Sequence, residues 1–324
     1  MSYAEARNIA VSDIPVIDIA PLYAEGGAGL RPVADAMREA AERVGFFYVR
    51  NHGIPKELIE RAEAVSRRFF AAPLDRKLDV KPTSRHRGFL RVGEAKMYAE
   101  AKVDLKESFI WGIDVGSDDP DYLSGNRMIG PNHWPAFVPE MRSVLNAYFD
   151  AANACGRVLL RAFAASLDVE ADYFTHCFAK PISRGTLVYY PPQPPDAGAD
   201  QFGVAPHTDY GCLTLVHQDN VGGLQVADRR GEWVMAHPID DTLVVNVGDL
   251  LARWTNDRFK STAHRVVNQS GRERHSIAVF VDPDFDTPIE PVCQAGETPH
   301  YPSVTCGEYI LSRFDAAFAY RQQA

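Results

Sequence analysis

The spacing of apolar residues predicts helices in the first half of the chain. Four segments repeat apolar positions at the helical period of 3.6 residues, and they lie at residues 31–44, 56–70, 139–167 and 170–178. Two shorter runs, residues 14–19 ("IPVIDI") and 45–53 ("GFFYVRNHG"), are rich in β-branched and aromatic residues and predict strands. Residues 80–135 show neither period, and a long loop of this kind is often functional.

After residue 182 the pattern changes to short apolar runs separated by Gly, Asp, Asn or Pro. The runs are "GTLVYY", "CLTLVHQ", "GLQVA", "EWVMAH", "TLVVNVG", "HRVVN" and "HSIAVFVD". Seven or eight strands at this spacing favour a double-sheet jelly roll or a barrel. The last segment, "CGEYILSRFDAAFAYR", returns to a helical pattern. The pattern therefore predicts a mainly β fold with flanking helices.

These patterns predict one unit over residues 1–324 rather than separate domains. Residues 1–180 would form a mostly helical region, residues 181–285 the jelly-roll core, and residues 286–324 a C-terminal segment with its helix. A chain of 324 residues with 46% hydrophobic content can bury a core of this size.

Charge and cysteine content narrow the class of protein. The formal net charge of −9 argues against a general binder of nucleic acids or anionic membranes, because neither polyanion would be attracted over long range. The five cysteines are odd in number, widely spaced and without a CxxC motif, which is typical of reduced thiols. We see no signal-peptide pattern and no apolar run long enough to span a membrane, and we expect a cytoplasmic monomer.

The stretch "APHTDYGCLTLVHQ" at residues 205–218 carries potential metal ligands. Residues i and i+2 of a strand point to the same face, so His207 and Asp209 can approach one ion. His264 begins another β-rich run and can supply a third ligand. Two histidines and one carboxylate with open positions opposite form the facial triad of non-haem Fe(II) oxygenases.

Two alternatives to this assignment stay open at this point. Zinc also accepts two histidines and one carboxylate, although no HExxH motif supports a zinc protease. His217 is a rival ligand, but an extended chain from His207 to His217 spans about 30 Å. His217 is therefore expected to be a structural or surface histidine.

A second pair of polar residues occurs further along, in "RERHSIAVFVDP". Arg274 and Ser276 lie at i and i+2 and therefore share a strand face. The planar guanidinium of an arginine suits a carboxylate, and a serine adds a hydroxyl donor. A dicarboxylate could then bind the metal at one end and Arg274 at the other.

The order "HTDYG", "HRVVN", "RHS" resembles the Fe(II)- and 2-oxoglutarate-dependent oxygenases related to isopenicillin N synthase. The likeness covers nearly the whole chain, and its most specific stretch is "NVGDLLARWTNDRFKSTAHRVV". It implies a distorted double-stranded β-helix, a relative of the jelly roll, that holds one Fe(II).

By position, the resemblance implies that His207, Asp209 and His264 bind the iron. It implies that Arg274 and Ser276 hold the distal carboxylate of 2-oxoglutarate, assisted by Tyr190. Many plant members have Asn where this chain has Val188, so one contact to the co-substrate is expected to be missing.

The implied activity couples the oxidative decarboxylation of 2-oxoglutarate to the oxidation of a small organic substrate by O₂. Hydroxylation, desaturation and ring closure are equally compatible with the sequence, and no substrate is named. We expect residues 85–111 to cover the site, and the predicted pocket residues are Arg87, Phe89, Trp111 and Phe280.

Three rival functions remain on sequence alone. An iron oxidase of the same family that does not use 2-oxoglutarate is the first, and the pair Arg274 and Ser276 also fits a branch that uses ascorbate. The others are a non-catalytic binding protein of the same fold and a zinc hydrolase. Neither of these would need both the triad and the pair.

Overall fold

The computed structural model describes residues 14–24, 29–94, 102–193, 198 and 201–317. The strands in these residues are β1 (Val16–Asp18), β2 (Phe46–Arg50), β3 (Gly88–Leu90), β4 (Glu107–Gly112), β5 (Arg184–Tyr190), β6 (Val204–His207), β7 (Leu213–Gln218), β8 (Leu224–Ala227), β9 (Trp233–Met235), β10 (Thr242–Val247), β11 (His264–Val266), β12 (Arg274–Val281), β13 (Pro288–Ile289) and β14 (Val304–Thr305). The helices are α1 (Leu30–Arg43), α2 (Lys56–Phe70), α3 (Leu74–Leu78), α4 (Pro120–Leu123), α5 (Met141–Ser166), α6 (Asp249–Trp254) and α7 (Cys306–Ala317).

Two sheets form the β core. The larger sheet has the order β1-β2-β10-β7-β12-β5-β4-β3, and the smaller one has the order β6-β11-β8-β9. Apolar residues of both sheets, such as Val188 and Val244 of the larger and Val226 and Val266 of the smaller, share one buried cluster. The sheets therefore enclose an interior space, as the predicted jelly roll requires.

The long helices pack on the larger sheet. α5 contacts α1 and α2 and lies against β7 and β12. Phe163 of α5 meets Phe47 of β2 at 6.2 Å between ring centroids. Helices cover one face of the larger sheet and the interior covers the other, so its central strands are buried on both faces, and the interior face also carries polar residues such as Thr214, Asn246 and Ser276. Among the described helices, none combines the length and the apolar content needed to cross a membrane.

The predicted helices at residues 31–44, 56–70 and 139–167 are confirmed to within about two residues at each end. The predicted C-terminal helix is confirmed over Cys306–Ala317, and its last residues lie outside the described part. Two expectations were wrong. Residues 170–178 form turns instead of a helix, and the segment 80–135 contains β3 and β4, which extend the larger sheet beside β5.

Candidate active site

The structure brings the three predicted metal ligands together. His207 ends β6, His264 begins β11, and the two are direct partners in the antiparallel pairing of these strands. Asp209 follows in the loop after β6, and its Oδ1 lies 3.7 Å from Nε2 of each histidine. One potential ligand atom from each residue lies within 4.8 Å of the others, which is a suitable spacing for a single ion.

Local backbone contacts set the orientation of both imidazole rings. Nδ1 of His207 lies 2.9 Å from the carbonyl oxygen of Ala205, and Nδ1 of His264 lies 3.2 Å from that of Thr262. A carbonyl only accepts, so each Nδ1 carries the proton and each Nε2 lone pair faces Asp209. Burial and the neighbouring His264 lower the pKa of His207 to about 3, so its ring is neutral at pH 7.

The carboxylate of Asp209 is oriented by two donors from the larger sheet. Its Oδ2 accepts a hydrogen bond from Oγ1 of Thr214 at 2.5 Å and from Nδ2 of Asn246 at 2.8 Å. These contacts leave Oδ1 directed at the histidines. Burial alone would raise the pKa of Asp209, but the two histidines and the two donors outweigh it and lower that pKa. Asp209 is therefore ionised and ready to bind a cation.

The loop that carries Asp209 is fixed against the start of α6. The backbone N–H of Asp249 donates to the carbonyl oxygen of Asp209 at 2.7 Å, and Gly248 donates to Cys212 at 2.9 Å. A Cβ on Gly248 would lie 2.2 Å from the carbonyl oxygen of Gly211. Only glycine permits this close approach, which places Asp209 beside the histidines.

A first cavity of about 130 Å³ lies between the two sheets and reaches the metal ligands. Arg274, Ser276 and Tyr190 all line it. The Arg274 guanidinium lies 4.7 Å from the centroid of the Tyr190 ring, and these residues are partners across β12 and β5. Its Nη2 donates to Gln218 at 3.3 Å.

The other guanidinium nitrogens of Arg274 suggest a missing partner. The residue is only 1% exposed, yet Nε and Nη1 find no hydrogen-bond partner among the described residues. A buried cation with two unused donors is costly unless a ligand supplies the acceptor. The carboxylate of 2-oxoglutarate fits this requirement, and the two histidines with Asp209 fit Fe(II).

A second cavity of about 120 Å³ reaches two of the three metal ligands, His207 and Asp209. His207 and Asp209 line both cavities, as do Lys106 and Phe280. The second cavity extends toward Arg184 and toward Phe314 of α7. Ser108 and Thr186 also line both cavities, so the two spaces adjoin, and a second ligand can lie beside the first next to His207 and Asp209.

Two family models match the chain and account for most of its length. The model described as "non-haem dioxygenase in morphine synthesis N-terminal" matches residues 14–137, and that of the 2OG-Fe(II) oxygenase superfamily matches residues 184–283. A 2-oxoglutarate-Fe(II) type oxidoreductase, hxnY of Emericella nidulans, is 37% identical, covering 94% of this chain and 90% of the relative. The chain belongs to the 2OG-Fe(II) oxygenase superfamily.

Other similar proteins support the same assignment for this oxygenase. The homoarginine-6-hydroxylase 2-ODD-233 of Oryza sativa subsp. japonica is 34% identical over 93% of this chain and 96% of the relative. The crystal structure of a full-length Neurospora crassa protein in complex with alpha-KG superposes with a TM-score of 0.83 at 33% identity, covering 94% and 96% of the two chains. The fold is therefore the double-stranded β-helix. The protein is an Fe(II)- and 2-oxoglutarate-dependent dioxygenase that oxidises a small organic substrate with O₂.

Three of the four predicted pocket residues lie elsewhere in this oxygenase. Phe280 lines both cavities, but Arg87, Phe89 and Trp111 line neither. Phe89 packs on Phe69 of α2 at 5.7 Å between ring centroids, and Trp111 lies over Gly185. The Arg87 guanidinium donates to backbone carbonyls, including Met128 at 2.8 Å. Residues 88–90 and 107–112 form strands β3 and β4, and these three side chains are buried in the core. Other residues of the segment 85–111 that was expected to cover the site do line the second cavity, namely His86, Leu90, Lys106, Ser108 and Ile110.

The structure also reveals functional residues that the sequence pattern did not indicate. Thr214 and Asn246 contact Asp209, and Lys106 reaches the second cavity. Thr and Asn are ordinary strand and turn residues, and only the pairing of β7 with β10 brings this pair to Asp209. His217, the rival ligand, bonds instead to Glu63 of α2 at 2.9 Å.

Proposed function

We propose that His207, Asp209 and His264 hold the Fe(II) of this oxygenase, and that Arg274, Ser276 and Tyr190 bind the distal carboxylate of 2-oxoglutarate in the first cavity. The observation that carries the proposal is the buried Arg274 guanidinium, with two nitrogens unused by the described residues, in a cavity that ends at the triad. Arg274 and the triad line this one cavity, so a single dicarboxylate inside it has both groups on its walls.

Each residue has a separate part in this arrangement. His207 and His264 present Nε2, and Asp209 presents Oδ1 and reduces the net charge at the centre. Arg274 binds the far carboxylate with its planar donor fork, and Ser276 adds a hydroxyl donor from the same strand face. When bound, Fe(II) and 2-oxoglutarate supply the oxidising chemistry, while the protein positions the reactants and excludes water.

Val188 affects the pocket by being apolar. It is the partner of Ser276 across β5 and β12 and lines the first cavity. It can offer the co-substrate only an apolar surface, so donors for the distal carboxylate must come from other lining residues such as Arg274 and Ser276. We therefore expect 2-oxoglutarate binding to depend more strongly on Arg274 here than in relatives that have Asn at the position of Val188.

The test is anaerobic addition of Fe(II) and 2-oxoglutarate to the purified protein, followed in the visible spectrum. Chelation of a 2-oxo acid by Fe(II) gives a weak charge-transfer band, which should require Fe(II). His264→Gln and Asp209→Ala should abolish the band, and Arg274→Ala should shift its half-saturation to much higher 2-oxoglutarate concentrations.

Two control variants match these substitutions. His217→Gln removes a histidine bound to Glu63 instead of the triad, and Arg91→Ala removes an exposed arginine. Both should bind as the natural protein does. Unchanged half-saturation in Arg274→Ala would contradict the assignment of the first cavity. Tight Fe(II) binding without any band would favour the oxidase that does not use 2-oxoglutarate or that uses ascorbate.

We also propose that the oxygenase acts as a cytoplasmic monomer without a nucleic-acid or membrane partner. The net charge of −9 and five cysteines that form no disulfide support this proposal. Light scattering coupled to size-exclusion chromatography should give a mass near the 35.9 kDa of one chain. A mass of twice that value would contradict the monomer.

A further inference from the structure

The second cavity presents positive charge to its ligand. Among the described residues that line it, Lys106 and Arg184 are cations, and the acidic one is the metal ligand Asp209. The partners of the two cations, Asp104 and Asp282, lie outside the cavity wall. A ligand in this space therefore meets two cationic heads, with their carboxylates behind them.

Arg184 is held firmly at the cavity wall. It is 4% exposed, and its guanidinium carbon lies 5.1 Å from the ring centroid of Phe280 and 4.6 Å from that of Phe314. Nη2 lies 3.4 Å from Oδ2 of Asp282. Asp282 in turn accepts the backbone N–H of Cys212 at 2.9 Å, in the loop that carries Asp209. Arg184 is thus fixed relative to the metal ligands.

Flat side chains surround this arginine. Phe280 and Phe314 line the cavity, and the His86 ring lies 4.5 Å from the Phe314 ring at an angle of 31°. His86 also has a positive φ of 59°, a conformation that costs energy in a non-glycine residue and is common at ligand sites. Ring faces and a small volume of about 120 Å³ favour a compact, flat ligand.

We propose that the primary substrate is a small aromatic or heteroaromatic carboxylic acid, whose carboxylate binds Arg184 and whose ring lies against Phe280 and Phe314. The inference rests on the proposed function, because it places the substrate beside the triad. Arg184 is then a specificity-determining residue, and its planar fork explains a preference for a carboxylate over a neutral group.

The test compares ring acids with their neutral analogues. The protein is loaded anaerobically with Fe(II) and 2-oxoglutarate, and binding is measured by calorimetry for benzoate, 2-furoate and the pyridinecarboxylates, each beside its carboxamide. At least one acid should bind about ten- to a hundredfold more tightly than its amide, the range expected for a charge-assisted hydrogen bond. The same acid should increase succinate release when O₂ is admitted.

The variants concern Arg184 because Lys106 lines both cavities and its loss would also affect 2-oxoglutarate. Removing Arg184 alone would leave Asp282 buried without its cation, so Arg184→Gln is combined with Asp282→Asn. The double variant should lose the preference for the acid. Asp282→Asn alone keeps Arg184 and should retain most of the preference for the acid. Arg184→Lys keeps a cation without the planar fork and should retain part of it.

The outcomes separate this inference from the proposed function. Provided that the charge-transfer band forms, three results would overturn the inference alone. They are equal binding of acids and amides, binding of none of the acids, and an unchanged preference for the acid in the double variant. Absence of the band in the natural protein would overturn the proposed function and the inference with it.

Discussion

The two hydrogen bonds to Oδ2 of Asp209 should determine how tightly this oxygenase holds its metal. Thr214→Val and Asn246→Leu each remove one donor while keeping the number and branching of the side-chain heavy atoms. Both residues are buried, at 3% and 2% exposure, and each substitution leaves Oδ2 with one of these two side-chain donors instead of both. The carboxylate would then rotate more freely, and Oδ1 would spend less time directed at the two Nε2 atoms.

The magnitude follows from the charge on the acceptor. A hydrogen bond to a charged group contributes about 1.5–3 kcal/mol, and losing a partner that orients a metal ligand costs about 10–100-fold in metal affinity. We expect each variant to weaken Fe(II) binding within that range. Because both donors share one oxygen, the double variant should lose less than the product of the single losses.

The effect should also depend on pH. The two donors help to lower the pKa of Asp209. Removing either donor raises that pKa, so protons compete with Fe(II) more strongly and the loss of affinity should grow as the pH falls.

The assay is anaerobic competition for Fe(II) against a coloured chelator at several pH values. Thr242→Val and Asn153→Leu serve as matched controls, because their side chains bond to the backbone carbonyls of Ile239 and Phe149 instead of Asp209. The reasoning would be refuted if Thr214→Val and Asn246→Leu both bound Fe(II) as tightly as the natural protein. It would also be refuted if the two controls lost as much Fe(II) affinity.

Three further predictions concern the stability of the fold, measured by urea denaturation. Lys77 and Glu107 form a nearly buried ion pair of 2.6 Å, so Lys77→Met should lower the free energy of unfolding by about 3–5 kcal/mol. The double variant Lys77→Met with Glu107→Leu should recover most of that loss. An undiminished loss in the double variant would contradict this prediction. Gly185→Ala would place a Cβ 2.2 Å from Cζ2 of Trp111 and should cost about 1–3 kcal/mol through overpacking, whereas an unchanged midpoint would show that Trp111 can move. The hydrogen bond from His217 lowers the pKa of Glu63 in the folded protein below 4.5. The contribution of this hydrogen bond to the free energy of unfolding is therefore full above pH 4.5 and is lost as the pH falls through the folded pKa. Glu63→Gln should therefore remove part of the loss of stability in acid, and an identical pH profile would exclude this role.

The metal ligands could be predicted from the sequence because their geometry is largely local. His207 and Asp209 are only two residues apart at the end of β6, and Nδ1 of each histidine lies beside the carbonyl oxygen two residues earlier in the chain. Arg274 and Ser276 are likewise two residues apart, on one face of strand β12. The helices were predictable because a helix against a sheet is apolar on one face, which leaves a 3.6-residue period.

The strands β3 and β4, at one end of the larger sheet, could not be predicted in the same way. All three residues of β3 and five of the six residues of β4 are buried, so no alternation of apolar and polar residues marks them. Their partners are each other and β5, and the pairing of β4 with β5 joins residues about 80 positions apart in sequence. The aromatic residues Phe89 and Trp111 were assigned to a pocket because the pattern around them predicted a loop. Pairing turns that loop into a covered sheet edge.

The contacts to Asp209 depend on an equally distant arrangement. His207 and His264 belong to the smaller sheet, whereas Thr214 and Asn246 belong to the larger one. Asp209 joins the two, because its Oδ1 faces the histidines and its Oδ2 bonds to the larger sheet. A metal bound here therefore connects both sheets through one carboxylate. The sequence specifies which atoms meet the metal, but the closure of one sheet on the other determines how firmly they are held.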